Sequence, residues 1–139
     1  INIQALISKK KLSYSSNSTP ALFQFTSWMK SVDEVNAGMD IICLTSKNEG
    51  TPVSLIEAQA SGNPVVSTNV GGIENVISVD ETGYLSEVGD LEQFTINLLK
   101  LIENEGIRNK MSNKGRKRSS LYSFENLISN TKSLYNNTL

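Results

Sequence analysis

The sequence predicts an α/β fold: a Rossmann-like parallel sheet with helices on both faces. Three observations predict it. Short apolar runs, Ile41-Ile42-Cys43-Leu44-Thr45 and Pro64-Val65-Val66-Ser67-Thr68, read as strands buried on both faces. Segments of helical periodicity alternate with them, which implies parallel strands joined by crossover helices. The 139 residues, 38% of them hydrophobic, are enough for one core and one domain.

Each element has its own signal. Ile3, Leu6 and Ile7 share helical spacing over Ile3–Leu12, and Lys9, Lys10 and Lys11 sit where a helix C-terminus favours cations. Ser13–Pro20 is rich in Ser and Asn and reads as a loop. Leu22–Thr26 is a strand candidate, and Val32–Ala37 a short helix closed by Gly38. After the strand at 41–45 comes the polar loop Ser46–Gly50. Pro52 then opens a helix that runs to Ser61 and stops at Gly62, with proline at its first position and glycine past its end. The strand at 64–68 is followed by Gly71-Gly72, which opens a short helix through Ile77. Gly83 marks a turn before the strand Tyr84-Leu85. Asp90-Leu91-Glu92-Gln93 resembles a capping box. Behind it Leu91, Phe94, Leu98 and Leu101 form one stripe that reaches Glu103. Two more helices are expected, at 105–119 and from Ser123 onward. The aromatic residues Phe94, Tyr122, Phe124 and Tyr135 fall on helical stripes expected to face the core.

Composition removes several function classes. A net charge of −1 lacks the basic excess of a nucleic-acid binder. The chain has no histidine, so it cannot supply a Ser-His-Asp or Cys-His set, and no metal site is expected. Its single cysteine, Cys43, reads as a small buried hydrophobe within a strand. No apolar run approaches the ~20 residues of a membrane span. The basic cluster Lys114, Arg116, Lys117 and Arg118 suits either a solvated helix face or peripheral contact with anionic membrane lipid.

The chemistry concentrates between Asp40 and Gly72. Parallel sheets bind ligands beyond the carboxyl ends of their strands, and the loops after Thr45 and Thr68 lie there. A helix N-terminus offers free N–H groups and partial positive charge, a setting for phosphate. Gly50 permits close approach. Pro52 has no N–H, so an anion would rest on the amides of Thr51, Val53 and Ser54. Glu57 lies five residues beyond Pro52, roughly 7–8 Å along the axis, about the distance from a phosphate to its ribose. A carboxylate there is a two-point acceptor for paired hydroxyls. Flanked by Leu55, Ile56, Ala58 and Ala60, it is expected to need a polar partner. Glu49, in the loop ahead of the helix, reaches the same ligand from the other side. The spacing also fits two solvated carboxylates with no ligand role.

The ordered set 40–46, Glu49-Gly50-Thr51-Pro52, Leu55-Ile56-Glu57-Ala58-Gln59-Ala60-Ser61-Gly62, 64–68 and Val70-Gly71-Gly72 resembles glycosyltransferase family four, of the GT-B fold. Similarity extends from Phe23 to Tyr135 and is sharpest from Asp40 to Gly89. Glu49 and Glu57 match that family's Glu-x7-Glu. The resemblance implies that Glu49 is the catalytic-site carboxylate holding the donor sugar and that Glu57 accepts from the ribose hydroxyls. It places the amides around Gly50, Thr51 and Val53 at the diphosphate or sugar, and Leu55 near the ribose and base. The implied substrate is a nucleotide-diphosphate-sugar, with no metal or other cofactor. The implied partner is a glycan or lipid-linked acceptor, and the implied setting is the cytoplasm, peripheral to the inner membrane face.

Two departures bear on the carry-over. Gly50-Thr51-Pro52 stands where many members have Gly-Phe-Gly, removing one amide. Glu74-Asn75 follows Ile73 where many have Pro-Glu, so Glu74 receives no role. The basic diphosphate clamp and the acceptor domain of the family have no counterpart in these residues. The chain is therefore expected to be a partial C-terminal, donor-binding domain that is inactive alone. Lys9, Lys10 and Lys11 lie on a later helix than that clamp. A sugar-nucleotide epimerase, a phosphorylase of the same broad fold and a non-catalytic nucleotide-binding module remain alternatives.

Overall fold

A computed structural model describes residues 14–15 and 23–138. The helix expected over Ile3–Leu12 lies outside the described residues. The chain divides into two compact units at Val32/Asp33. In the first, strand β1 (Tyr14–Ser15) runs parallel to β2 (Phe23–Gln24), pairing Tyr14 with Phe23 and Ser15 with Gln24. The loop expected across 13–20 therefore contains a strand. Two residues are too few to leave a hydrophobic pattern, and the partner strand decides the pairing.

The second unit holds the core. Helix α1 (Val32–Ala37) leads to strand β3 (Ile42–Leu44). Helix α2 (Val53–Ser61) and strand β4 (Val65–Thr68) follow, then the single turn α3 (Ile73–Val76) and strand β5 (Gly83–Ser86). The chain ends in helices α4 (Leu91–Glu103), α5 (Glu105–Ser119) and α6 (Phe124–Thr138), with a 3-10 turn at Ser120–Tyr122 between the last two. The sheet order is β3-β4-β5, all parallel, with Ile42 beside Val65 and Val65 beside Gly83.

Strand β4 is central and buried along its whole length. Its alternating side chains feed two cores. Val65 packs with Leu55, Ala58, Ile73, Val76 and Ile77 on the α2–α3 face. Val66 packs with Tyr84, Leu101 and Met111 on the α4–α5 face. Helices on both faces of a parallel sheet are thus present, as the sequence predicts.

Helix α2 starts one residue later than predicted: Pro52 is its extended N-cap, at ψ 95°, not its first helical residue. It ends in a Schellman arrangement. Gly62 takes φ 90°, its N–H donates to Gln59 O, and the N–H of Asn63 donates to Ala58 O at 2.8 Å. Asp90 caps α4 by accepting from the N–H of Gln93 at 2.9 Å, but the Gln93 side chain turns to Asn97. Only half of the predicted capping box forms.

Three expectations about burial are corrected. Strand β3 is not buried on both faces, and β4 is its sole partner among the described strands. Ile42 and Leu44 are half-buried and Cys43 is exposed. The expected core aromatics Phe124 and Tyr135 are 70% and 66% exposed, and Tyr122 is also exposed. Leu91, the first residue of its stripe, stands 76% in solvent. Periodicity shows which residues share a helix face; it does not show what covers that face.

Lys114, Arg116 and Arg118 of the basic cluster on α5 make bonds within the protein. Arg116 donates to Ser61 O at 3.0 Å and to the Ser112 hydroxyl. Lys114 meets Glu81 at 2.6 Å. Arg118 donates to Val76 O at 2.7 Å and Asn75 O at 2.6 Å, and Tyr122 adds a bond to Asn75 O. Together these satisfy the carbonyl end of α3, which one helical turn cannot do alone. Arg118→Ala is expected to cost about 1–3 kcal/mol through those unpaired carbonyls, read as a lower midpoint in urea unfolding.

Candidate functional site

The parallel order puts the carboxyl ends of β3 and β4 side by side, and the two loops leaving them are joined. The Thr68 hydroxyl donates to Ser46 O at 2.6 Å. The N–H of Gly72 donates to Gly50 O at 3.0 Å. Neither Gly71 nor Gly72 has room for a side chain. A Cβ on Gly71, at φ +55°, would stand 1.8 Å from Glu49 O, and one on Gly72 would stand 2.3 Å from Gly50 O. The Gly-Gly pair is thus the seat of the acidic loop. The sequence carries its signal, since adjacent glycines mark close backbone approach, but not the identity of what approaches.

Above this seat the chain enters α2. Pro52 makes no side-chain cap, and the first turn of α2 contains no acidic residue. The first bonds inside the helix run from Leu55 and Ile56 to Pro52 O. Among the described residues, no carbonyl accepts from the amides of Thr51, Val53 or Ser54. Helices α4 and α5 differ: Asp90 and Asn104 each accept from the third residue of their helix. The N-terminus of α2 is therefore the one of these three left open, with its partial positive charge unmatched by any side chain of its own.

The predicted residues fall into two groups. Gly50 and Thr51 are exposed at the mouth, and Glu49 is half-buried in the loop behind them. Val53, 60% exposed, and Glu57 lie four residues apart on the outward face of α2, one turn above the other. Because Glu57 is exposed, it needs no buried partner, contrary to expectation. Leu55 belongs elsewhere. Its side chain is fully buried in the core with Ala58 and Val65, and its amide is bonded to Pro52 O. It offers no side-chain surface to a ligand, and its part is to seat α2 on the sheet.

Cys43 is not an activated thiol. The residue is exposed at the sheet edge, yet the thiol itself lies deep enough that desolvation pushes its pKa up, which disfavours the nucleophilic thiolate. Among the described residues no three His, Cys, Asp or Glu side chains are grouped to hold a metal ion, and no helix is long and apolar enough to cross a membrane.

A cavity of about 250 Å3 opens beside the same loop, on the α4 face, lined among others by Thr45, Lys47, Thr68, Ser86 and Phe94. Neither Glu49 nor Glu57 lines it. Thr45, Thr68 and Ser86 stand side by side across the three strands there, with the Thr68 hydroxyl turned to Ser46 O.

The chain is similar in sequence and fold to known proteins. The chain is 35% identical over 111 residues to N-acetyl-alpha-D-glucosaminyl L-malate synthase of Bacillus anthracis, an alignment covering 78% of this chain and 29% of that protein. It is 33% identical over 102 residues to the capsular polysaccharide biosynthesis glycosyltransferase CapM of Staphylococcus aureus, covering 73% and 27%. The chain thus spans less than a third of the length of these relatives. Among solved structures, the Anabaena protein HepE in complex with UDP superposes with a TM-score of 0.75 at 18% identity, covering 99% of this chain and 36% of that one. That likeness establishes the GT-B fold alone. Residues 8–118 match the family Glycosyl transferases group 1, and the chain belongs to that family.

Proposed function

We propose that this chain supplies the donor-binding half of a glycosyltransferase. The enzyme moves a sugar from a nucleotide-diphosphate-sugar to a glycan or lipid-linked acceptor with retention of configuration. Its setting is polysaccharide or glycoconjugate biosynthesis in the cytoplasm, peripheral to the membrane. The observation that carries the reading is the open N-terminus of α2, with Glu49 before it and Glu57 on its outward face.

The chemistry follows from charge. As the glycosidic bond breaks, negative charge gathers on the departing diphosphate. The amides of Thr51, Val53 and Ser54, backed by the α2 dipole, stabilise that charge where it develops. Glu49 accepts hydrogen bonds from the hydroxyls of the sugar and fixes its anomeric carbon. Glu57, one turn into the helix, accepts from the two ribose hydroxyls. No metal ion is needed, because helix and amides supply the positive field.

Calorimetry on the full-length protein tests this with UDP and other nucleoside diphosphates. Glu57→Ala is expected to weaken binding about tenfold to a hundredfold, the worth of hydrogen bonds to a charged acceptor. Unchanged affinity would overturn the assignment of Glu57 to the ribose.

A further inference from the structure

The loop leading into β5 and the last two turns of α5 line an open, shallow cavity of about 310 Å3. Its lining includes Ser78, Glu81, Thr82, Lys114, Lys117 and Arg118. It lies at the amino end of the parallel strands, whereas the Glu49 loop leaves their carboxyl end.

Charge here is lopsided. Lys114, Lys117 and Arg118 share the lining with a single carboxylate, Glu81, leaving a surplus of two positive charges (three minus one). Lys110 lies on the same face of α5 by its i, i+4, i+7, i+8 spacing to the other three, and its field also reaches Glu81. The walls are fixed. Thr82 is buried; its hydroxyl accepts from the N–H of Ser78 at 3.0 Å and closes the loop. Arg118 spends Nε and Nη2 on the end of α3, so its guanidinium is held in one orientation with Nη1 outside those two bonds. Lys114 already grips one anion, the Glu81 carboxylate, at 2.6 Å. Hydrogen bonding from Lys114, and then its charge, holds the Glu81 carboxyl below its ordinary range.

We propose that this cavity is an anion site separate from the donor site, taking a phosphate group that carries two negative charges, with Lys114, Lys117 and Nη1 of Arg118 as its donors. A singly charged group would only repeat what Glu81 does and leave surplus positive charge. A dianion matches the surplus. The cavity is at the small end of ligand sites, roughly 300 Å3, which suits a compact group better than a peptide. The group comes either from a soluble phosphate compound or from a lipid with a phosphate monoester head.

Titrating the full-length, 15N-labelled protein with inorganic pyrophosphate separates this site from the donor site, because each has its own amides. Signals of 78–82 and 114–118 are expected to move on a binding curve of their own, distinct from that of Thr51, Val53 and Ser54. Lys117→Ala is expected to weaken that curve roughly tenfold. Glu81→Gln, which removes the resident carboxylate, is expected to tighten it. Shifts confined to 51–54, or affinity at 78–82 indifferent to Lys117→Ala, would overturn the site. So would tighter binding of a glutamate-rich peptide than of pyrophosphate. Flotation with phosphatidic acid vesicles, against phosphatidylglycerol vesicles as a singly charged control, identifies the source. Selective capture by phosphatidic acid that Lys117→Ala abolishes assigns a lipid head, and pyrophosphate binding without capture assigns a soluble phosphate.

Discussion

Gly71→Ala is expected to unseat the acidic loop and to destabilise the protein by about 2–4 kcal/mol, as backbone overpacking does at a left-handed position. The added methyl would meet the carbonyl of Glu49, with the oxygen 1.8 Å and the carbon 2.9 Å away. Both are backbone atoms, so no rotamer change relieves the clash. Either Glu49 moves or the Gly-Gly turn does. Gly89 supplies the control. It has φ +90° but nothing within 4 Å of a built Cβ, so Gly89→Ala carries only the conformational cost of about 1–2 kcal/mol. Urea unfolding of the two variants in the full-length protein reads the difference. Equal losses would mean that the contact with Glu49 contributes nothing.

Glu49→Gln is expected to lower kcat about a hundredfold to a thousandfold while leaving nucleotide affinity nearly unchanged. The magnitude is that of removing one preorganised polar contact to the reacting group. The substitution keeps volume and shape, so the loop stays seated on Gly71 and Gly72 through its backbone. What changes is the charge offered to the sugar hydroxyls. Glu57→Ala should do the opposite and raise KM for the donor more than it lowers kcat, since the ribose is held alike in ground and transition states. Steady-state turnover with saturating donor separates the two. A Glu49→Gln enzyme with normal kcat would end the catalytic assignment.

Much of this was legible in the sequence wherever punctuation and pattern agree. Gly62 and Gly38 end their helices as expected, Asp90 caps α4, and the strand read at 64–68 lies buried in the middle of the sheet. The helix at 105–119 appears with the bounds expected of it. What could not be read depends on neighbours that no local pattern encodes. Ile41-Ile42-Cys43-Leu44 has the composition of an inner strand, yet β3 has one partner among the described strands and Cys43 is exposed. Phe124 and Tyr135 carry the right spacing for a core face that nothing among the described residues covers. Leu55 shows the same limit at the site: its position in the motif did not reveal that its side chain lies fully buried in the core. Arginine gave no advance sign that Arg118 would serve the end of α3.

Helix α3 is only four residues long, yet both of its ends are tethered to distant parts of the unit. At its start the Gly71-Gly72 turn bears on the carbonyls of Glu49 and Gly50. At its finish Arg118, Tyr122 and Gln59 draw on the carbonyls of Asn75 and Val76. A close-packed interior passes on displacement instead of absorbing it. This single turn is therefore a tie-rod through the unit, joining the seat of the acidic loop to α5 near the far rim of the sheet.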